Sequence, residues 1–175
     1  MNKRPVLLTL LAVIHITGGA LALIAIPVLA IIYQYKKVEM PEGLGSFVLL
    51  MVVSVFLIAI LALVSGIGMM IGEKWGWWIG ALYYVYSVVR NVHALITMPG
   101  LAEDIGEPAK GLEYHYFKHG ARILSHVLLL LYFFRGSVLE YFGLKQQSRI
   151  KTVFILIVSA LVIWGSLATA QLIFN

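Results

Sequence analysis

The sequence predicts an all-α fold, a polytopic integral membrane helical bundle forming a single transmembrane domain over residues 1–175. Composition points there first: 61% of residues are hydrophobic and 12% charged, whereas a soluble domain carries roughly 25% charged residues. Distribution points there again, because the apolar residues form unbroken runs long enough to cross about 30 Å of hydrocarbon, not stripes on amphipathic elements. The third observation is a mean hydropathy of +0.95, with basic residues gathered mainly in short segments between the runs, where they orient membrane proteins. A net charge of +5 is then no sign of nucleic-acid binding. The absence of cysteine excludes disulfides, thiolate metal sites, iron–sulfur clusters and cysteine nucleophiles.

Five transmembrane helices are expected, at about residues 5–33, 45–72, 76–98, 116–135 and 152–174. Met-Asn-Lys-Arg ahead of an apolar run, with Ala20-Leu21-Ala22 downstream, has the pattern of a signal peptide. The run continues to about Tyr33, too long for a cleaved signal, and reads as a retained first helix. Pro5 suits the first turn of that helix, and Pro27 is expected to kink its far part. The second run follows a polar turn with Lys36, Lys37, Glu39, Pro41 and Glu42, and only Glu73-Lys74-Trp75 separates it from the third. Pro99-Gly100 is expected to end the third, opening a polar loop with Glu103, Asp104, Glu107 and Pro108 whose length suggests a functional role. The fourth span is the shortest. Its clean apolar stretch runs from Ile123 to Phe134 and must be lengthened through His119 and Arg122, so the alternative is four spans plus one interfacial helix.

Charge placement favours five. With the N-terminus inside and the C-terminus out, the inner side holds Lys3, Arg4, Lys74, Arg135, Lys145, Arg149 and Lys151. The outer side holds Lys36, Lys37, Lys110 and Lys118 among Glu39, Glu42, Glu103, Asp104, Glu107 and Glu113. This asymmetry is the one expected of a multi-pass protein of the cytoplasmic (inner) membrane, and an interfacial fourth helix would put Arg149 on the acidic side. Trp75, Trp77 and Trp78 fall at the inner end of the third span, where they are expected to anchor at the headgroups. The stretch from Val138 to Leu144 is expected to lie along the inner interface.

Small residues predict the packing. Gly68, Gly72, Gly76 and Gly80 recur every four residues through the second turn, the spacing that lets helix backbones approach closely in lipid. A tight antiparallel hairpin is expected. Gly18-Gly19 with Ala22, and Ser166 with Ala170, offer similar faces within the fold or between subunits. Five spans in so short a chain make a thin bundle, so a homo-oligomer or a partner membrane protein is expected beside the lipid bilayer.

Ionisable residues inside the third and fourth spans carry the functional reading, because a charge at membrane depth is costly unless paired or hydrated. Tyr83, Tyr86, Arg90, His93 and Thr97 step by three and four along one helix, and His115, His119, Arg122 and His126 along the next. At 1.5 Å per residue, Arg90 and His93 lie about 13 and 9 Å below the outer boundary, and Arg122 and His126 about 9 and 15 Å. The five residues expected to bind a ligand are Tyr86, Arg90, His93, Arg122 and His126. Both guanidiniums stay charged, and no Asp or Glu shares their depth. They require a loop carboxylate from Glu113, Glu107 or Asp104, a lipid phosphate reached by snorkelling, water, or a bound anion.

Other readings use the histidines. His93 and His126 on neighbouring helices could ligate a b-type haem, while His15 is too deep to join them and reads as a hydrogen-bonded packing residue. His115-x3-His119, with loop carboxylates, could hold a metal. That pair resembles one histidine box of the membrane desaturases and hydroxylases, which need several where this chain has one. Lys-Arg-Pro before the first helix, and a Trp-rich hairpin after a Gly-rich second helix, are similar to features of many small prokaryotic membrane proteins. That likeness covers the first three spans and brings no functional residues with it. The leading expectation is a non-enzymatic subunit that binds or passes a small anionic or amphiphilic ligand at the Arg/His pocket. An accessory or sensing subunit that docks a partner protein, and a haem- or metal-dependent membrane enzyme, are the alternatives.

Overall fold

A computed structural model of the chain describes residues 4–35, 44–106 and 108–173, and every element in them is helical. The order is α1 (Val6–Tyr35), α2 (Leu44–Ile71), α3 (Lys74–Ile105), α4 (Gly111–Phe133), α5 (Gly136–Tyr141) and α6 (Arg149–Ile173). Three helices are long and apolar enough to cross a membrane, over Val6–Leu29, Val52–Ile71 and Arg149–Leu167. At 32 and 23 residues, α3 and α4 reach roughly 48 and 35 Å, but polar side chains interrupt their apolar sequence. Large apolar side chains stand outward on several helices, with Val6 at 86%, Phe117 at 77% and Phe154 at 68% exposure. Water does not tolerate so wide an apolar surface, and lipid does.

Local sequence sets the helix ends. The carbonyl of Pro5 accepts the N–H of Thr9 at 3.2 Å, opening α1, which then runs through Pro27 without ending. At the end of α2 the carbonyl of Gly68 accepts the N–H groups of Gly72 and Glu73 at 3.0 and 3.2 Å. Gly72 takes φ +77°, a left-handed closure that suits glycine. The expected stop at Pro99 does not occur. α3 continues through Pro99-Gly100 to Ile105, because one lost backbone bond is affordable near an exposed helix end where Leu101, Ala102 and Glu103 are good helix formers. Gly106, at φ +89°, closes it with its N–H on Ala102 O at 3.0 Å. With α4 starting at Gly111, the expected long acidic loop shrinks to the few residues after Ile105. The turn carrying Lys36, Lys37, Glu39 and Glu42, and Glu107 in the α3–α4 connection, lie outside the described residues.

The glycine-spaced hairpin is present. A Cβ on Gly68 or Gly76 would fall inside the other residue's backbone, and one on Gly80 would come within 2.7 Å of Met69 Cε and 2.8 Å of Phe133 Cε1. α1 and α2 approach in the same way, since a Cβ on Gly19 would meet Leu63 N at 2.7 Å and one on Gly66 would meet Ala12 O at 2.8 Å. Nothing lies within 4 Å of a Cβ built on Gly18, its neighbour. α3 packs against α2, α4 and α6.

One end of the bundle is stitched together. The Arg4 guanidinium donates to Met70 O at 2.6 Å and to the Tyr141 hydroxyl at 3.1 Å, joining the start of α1 to the end of α2 and to α5. Trp77, fully buried, donates its indole N–H to Phe133 O at 2.9 Å, so this side chain is core and not the expected interfacial anchor. Trp75 is exposed. Val138, Leu139, Phe142 and Leu144 are buried, so α5 folds under the bundle as a cap.

Candidate functional site

α3 carries the polar residues of the site on the side where α4 crosses it. A cavity of about 240 Å³ is lined by Tyr83, Ser87, Arg90 and Asn91 of α3, Arg122 and His126 of α4, and Ile58 of α2. The structure therefore brings together Arg90, Arg122 and His126, three of the residues expected to bind a ligand. It does not bring His93 or Tyr86 with them. His93 stacks on Trp164 of α6, ring centroids 4.3 Å apart. Tyr86 is fully buried, and its hydroxyl has no partner among the described residues.

Helix geometry explains the division. At about 100° per residue, Tyr86 and His93 fall roughly 60–80° to one side of Tyr83, whereas Ser87 and Asn91 fall about 40° and 80° to the other. Sequence reasoning followed the stripe of large ionisable side chains and passed over the small polar ones. The signal was there, since a Ser and an Asn four residues apart inside an apolar run seek interhelical partners.

Asn91, 2% exposed, organises the wall. Its Nδ2 donates to Ser87 O at 2.7 Å, and its Oδ1 accepts from His119 Nδ1 at 2.7 Å, which ties α3 to α4 next to the cavity. His126 donates from Nδ1 to the carbonyl of Arg122 at 2.6 Å, leaving Nε2 as an acceptor. Its ring lies 6.0 Å from that of Tyr83 and 5.9 Å from that of Tyr84.

Among the described residues the two guanidiniums have no anionic partner. Among the described residues the ion pair found is Lys145–Glu140 at 3.5 Å, far along the chain from this cavity. Neither Arg90 nor Arg122 has a side-chain hydrogen bond among those residues. Of the carboxylates expected to neutralise them, Glu113 stands exposed on the first turn of α4, and the side chains of Asp104 and Glu107 lie outside the described residues. Two cations facing one cavity in an apolar bundle attract an oxyanion, which guanidinium forks bind with paired N–H donors.

The histidine readings fare differently. Among the described residues no group of three His, Cys, Asp or Glu side chains is placed to hold a metal ion. His115 packs beside Tyr114, centroids 5.4 Å apart, while His119 is engaged by Asn91. His93 and His126, the expected haem pair, share no neighbour among these contacts. His15, 5% exposed, is the packing residue expected: it bonds Ser65 Oγ at 2.8 Å and the Tyr84 hydroxyl at 2.9 Å. Compared with protein-family models, curated proteins and solved structures, the chain matches none.

Proposed function

We propose that this is a five-span protein of the cytoplasmic membrane, N-terminus inside, that binds or passes a small anion through the cavity between α3 and α4. The observation that carries this reading is that Arg90 of α3 and Arg122 of α4 line one cavity, with no carboxylate partner among the described residues. Arg90 is half-buried and Arg122 exposed; at membrane depth two such permanent charges repel each other and are costly unless compensated. A carboxylate or phosphate group between them supplies that compensation. Ser87 and Tyr83 add hydroxyls to the lining, and the Asn91–His119 bond fixes the α3–α4 spacing on which two-point binding depends. The anion is held by hydrogen bonding and charge. The role is that of a binding or conducting subunit.

The test is equilibrium dialysis of the purified protein in uncharged maltoside micelles with radiolabelled acetate and inorganic phosphate. Arg90→Gln and Arg122→Gln should each weaken binding of the preferred anion about ten-fold or more, because a hydrogen bond to a charged group is worth about 1.5–3 kcal/mol. Lys118→Gln, on the same helix outside the lining, should leave it unchanged. Binding that survives both arginine substitutions in folded protein would overturn the reading.

A further inference from the structure

A second cavity, also about 240 Å³, lies between α1 and α2 and shares two wall residues, Ile58 and Tyr83, with the arginine cavity. Its other walls include Gly18, Ala22, Val55 and Ala59. The two chambers meet along one partition, one chamber cationic and the other apolar. Each alone falls below the roughly 300 Å³ at which small-molecule sites begin, and the two together fall within that range. An apolar void is filled readily by hydrocarbon; cavities of about 150 Å³ already take up small apolar molecules.

The glycine pair of α1 accounts for this chamber. Gly19 presses α1 onto the backbone of α2, and Gly18 next to it faces open space, with nothing within 4 Å of a Cβ placed there. Close approach at one residue and vacancy at the next leaves a slot exposed beside Gly18. The Tyr83 ring stands between the slot and the arginines, 4.7 Å from His15 on one side and 6.0 Å from His126 on the other.

We propose that the two chambers are halves of one site for a single-chain anionic amphiphile. Its carboxylate or phosphate head sits between Arg90 and Arg122, and its alkyl chain crosses Ile58 and Tyr83 into the slot along Gly18 and Ala22. This rests on the anion site proposed above and adds the class of molecule. The charge pair selects the head, and apart from Tyr83 on the shared partition and the already bonded His15 the residues that line the slot are apolar.

The experiment compares radiolabelled octanoate with acetate by the same dialysis, subtracting protein-free micelles. Octanoate should bind at least ten-fold more tightly than acetate, since each buried methylene is worth up to about four-fold. Gly18→Leu, which adds a side chain at the slot's open edge, should weaken octanoate about ten-fold and leave acetate unchanged. Ala22→Leu, blocking the same slot one turn along, should do likewise and covers the case in which the first variant does not fold. Equal affinity for the two acids, or octanoate binding indifferent to both blocking variants, would overturn the chain subsite while leaving the anion site standing. Octanoate and acetate both indifferent to Arg90→Gln and Arg122→Gln would overturn the anion site, and this inference with it.

Discussion

The Ser65 hydroxyl donates to Ala62 O at 2.9 Å, and that bond sets the state of the buried histidine beside it. Ser65 Oγ then serves as acceptor for His15 Nδ1, so Nδ1 carries the proton and Nε2 accepts from the Tyr84 hydroxyl. Every polar atom in this chain of three helices is satisfied by a neighbour of the right kind. Tyr84→Phe leaves Nε2 of a buried imidazole without a donor and should cost about 1–2 kcal/mol in reversible unfolding. Adding His15→Leu should recover part of that loss, because removing both partners leaves nothing unpaired. An unchanged unfolding midpoint in Tyr84→Phe would refute the bond. His15 was legible in the sequence as a packing histidine, since a lone polar residue in an apolar run must find an internal partner. Ser87 and Asn91 left a signal as a polar pair four residues apart, but not their place in the lining, because sequence spacing marks a face only to within a side-chain width. The lining depends on which way α3 is rotated against α4.

At the scale of elements, close approach governs the bundle. Gly68 and Gly76 touch backbone to backbone, so Gly76→Ala must push α2 and α3 apart or bend them. It should destabilise the protein by about 1–3 kcal/mol. Gly120→Ala, on α4 with nothing within 4 Å of its Cβ, should be neutral or raise stability by up to about 1 kcal/mol through better helix propensity. Unfolding of the two variants in parallel checks this, and equal effects would refute the packing argument. The hairpin was readable from four-residue spacing because it depends on side-chain absence alone. The length of α3 was not. Pro99 signals an end wherever the chain has no reason to continue, and here the following residues favour helix strongly enough to absorb the missing bond.

For the whole molecule, the proposed direction rests on the stitched end. Arg4 bonds to Met70 and Tyr141, and Trp77 bonds to Phe133, so the start of α1, the end of α2, the start of α3 and the end of α4 meet. Lys74 and Arg135 belong to this end by sequence, and α5 leads from it to Lys145, Arg149 and Lys151. α3 packs on both α2 and α6, two of the helices apolar enough to span, and α4 runs antiparallel along α3 for about 35 Å. On the five-span reading proposed above, a bilayer enclosing the apolar helices encloses α3 and α4 as well, with the basic end toward the cytoplasm. The absence of cysteine makes this directly measurable with single substitutions. Ala109→Cys, exposed between α3 and α4, should react with a membrane-impermeant maleimide in intact cells. Gln147→Cys, exposed between α5 and α6, should react only after the membrane is opened. Reaction of both from outside would mean that α4 does not cross, and the reverse pattern would invert the orientation. Either result would also relocate the arginine cavity relative to the anion pool that it is proposed to serve.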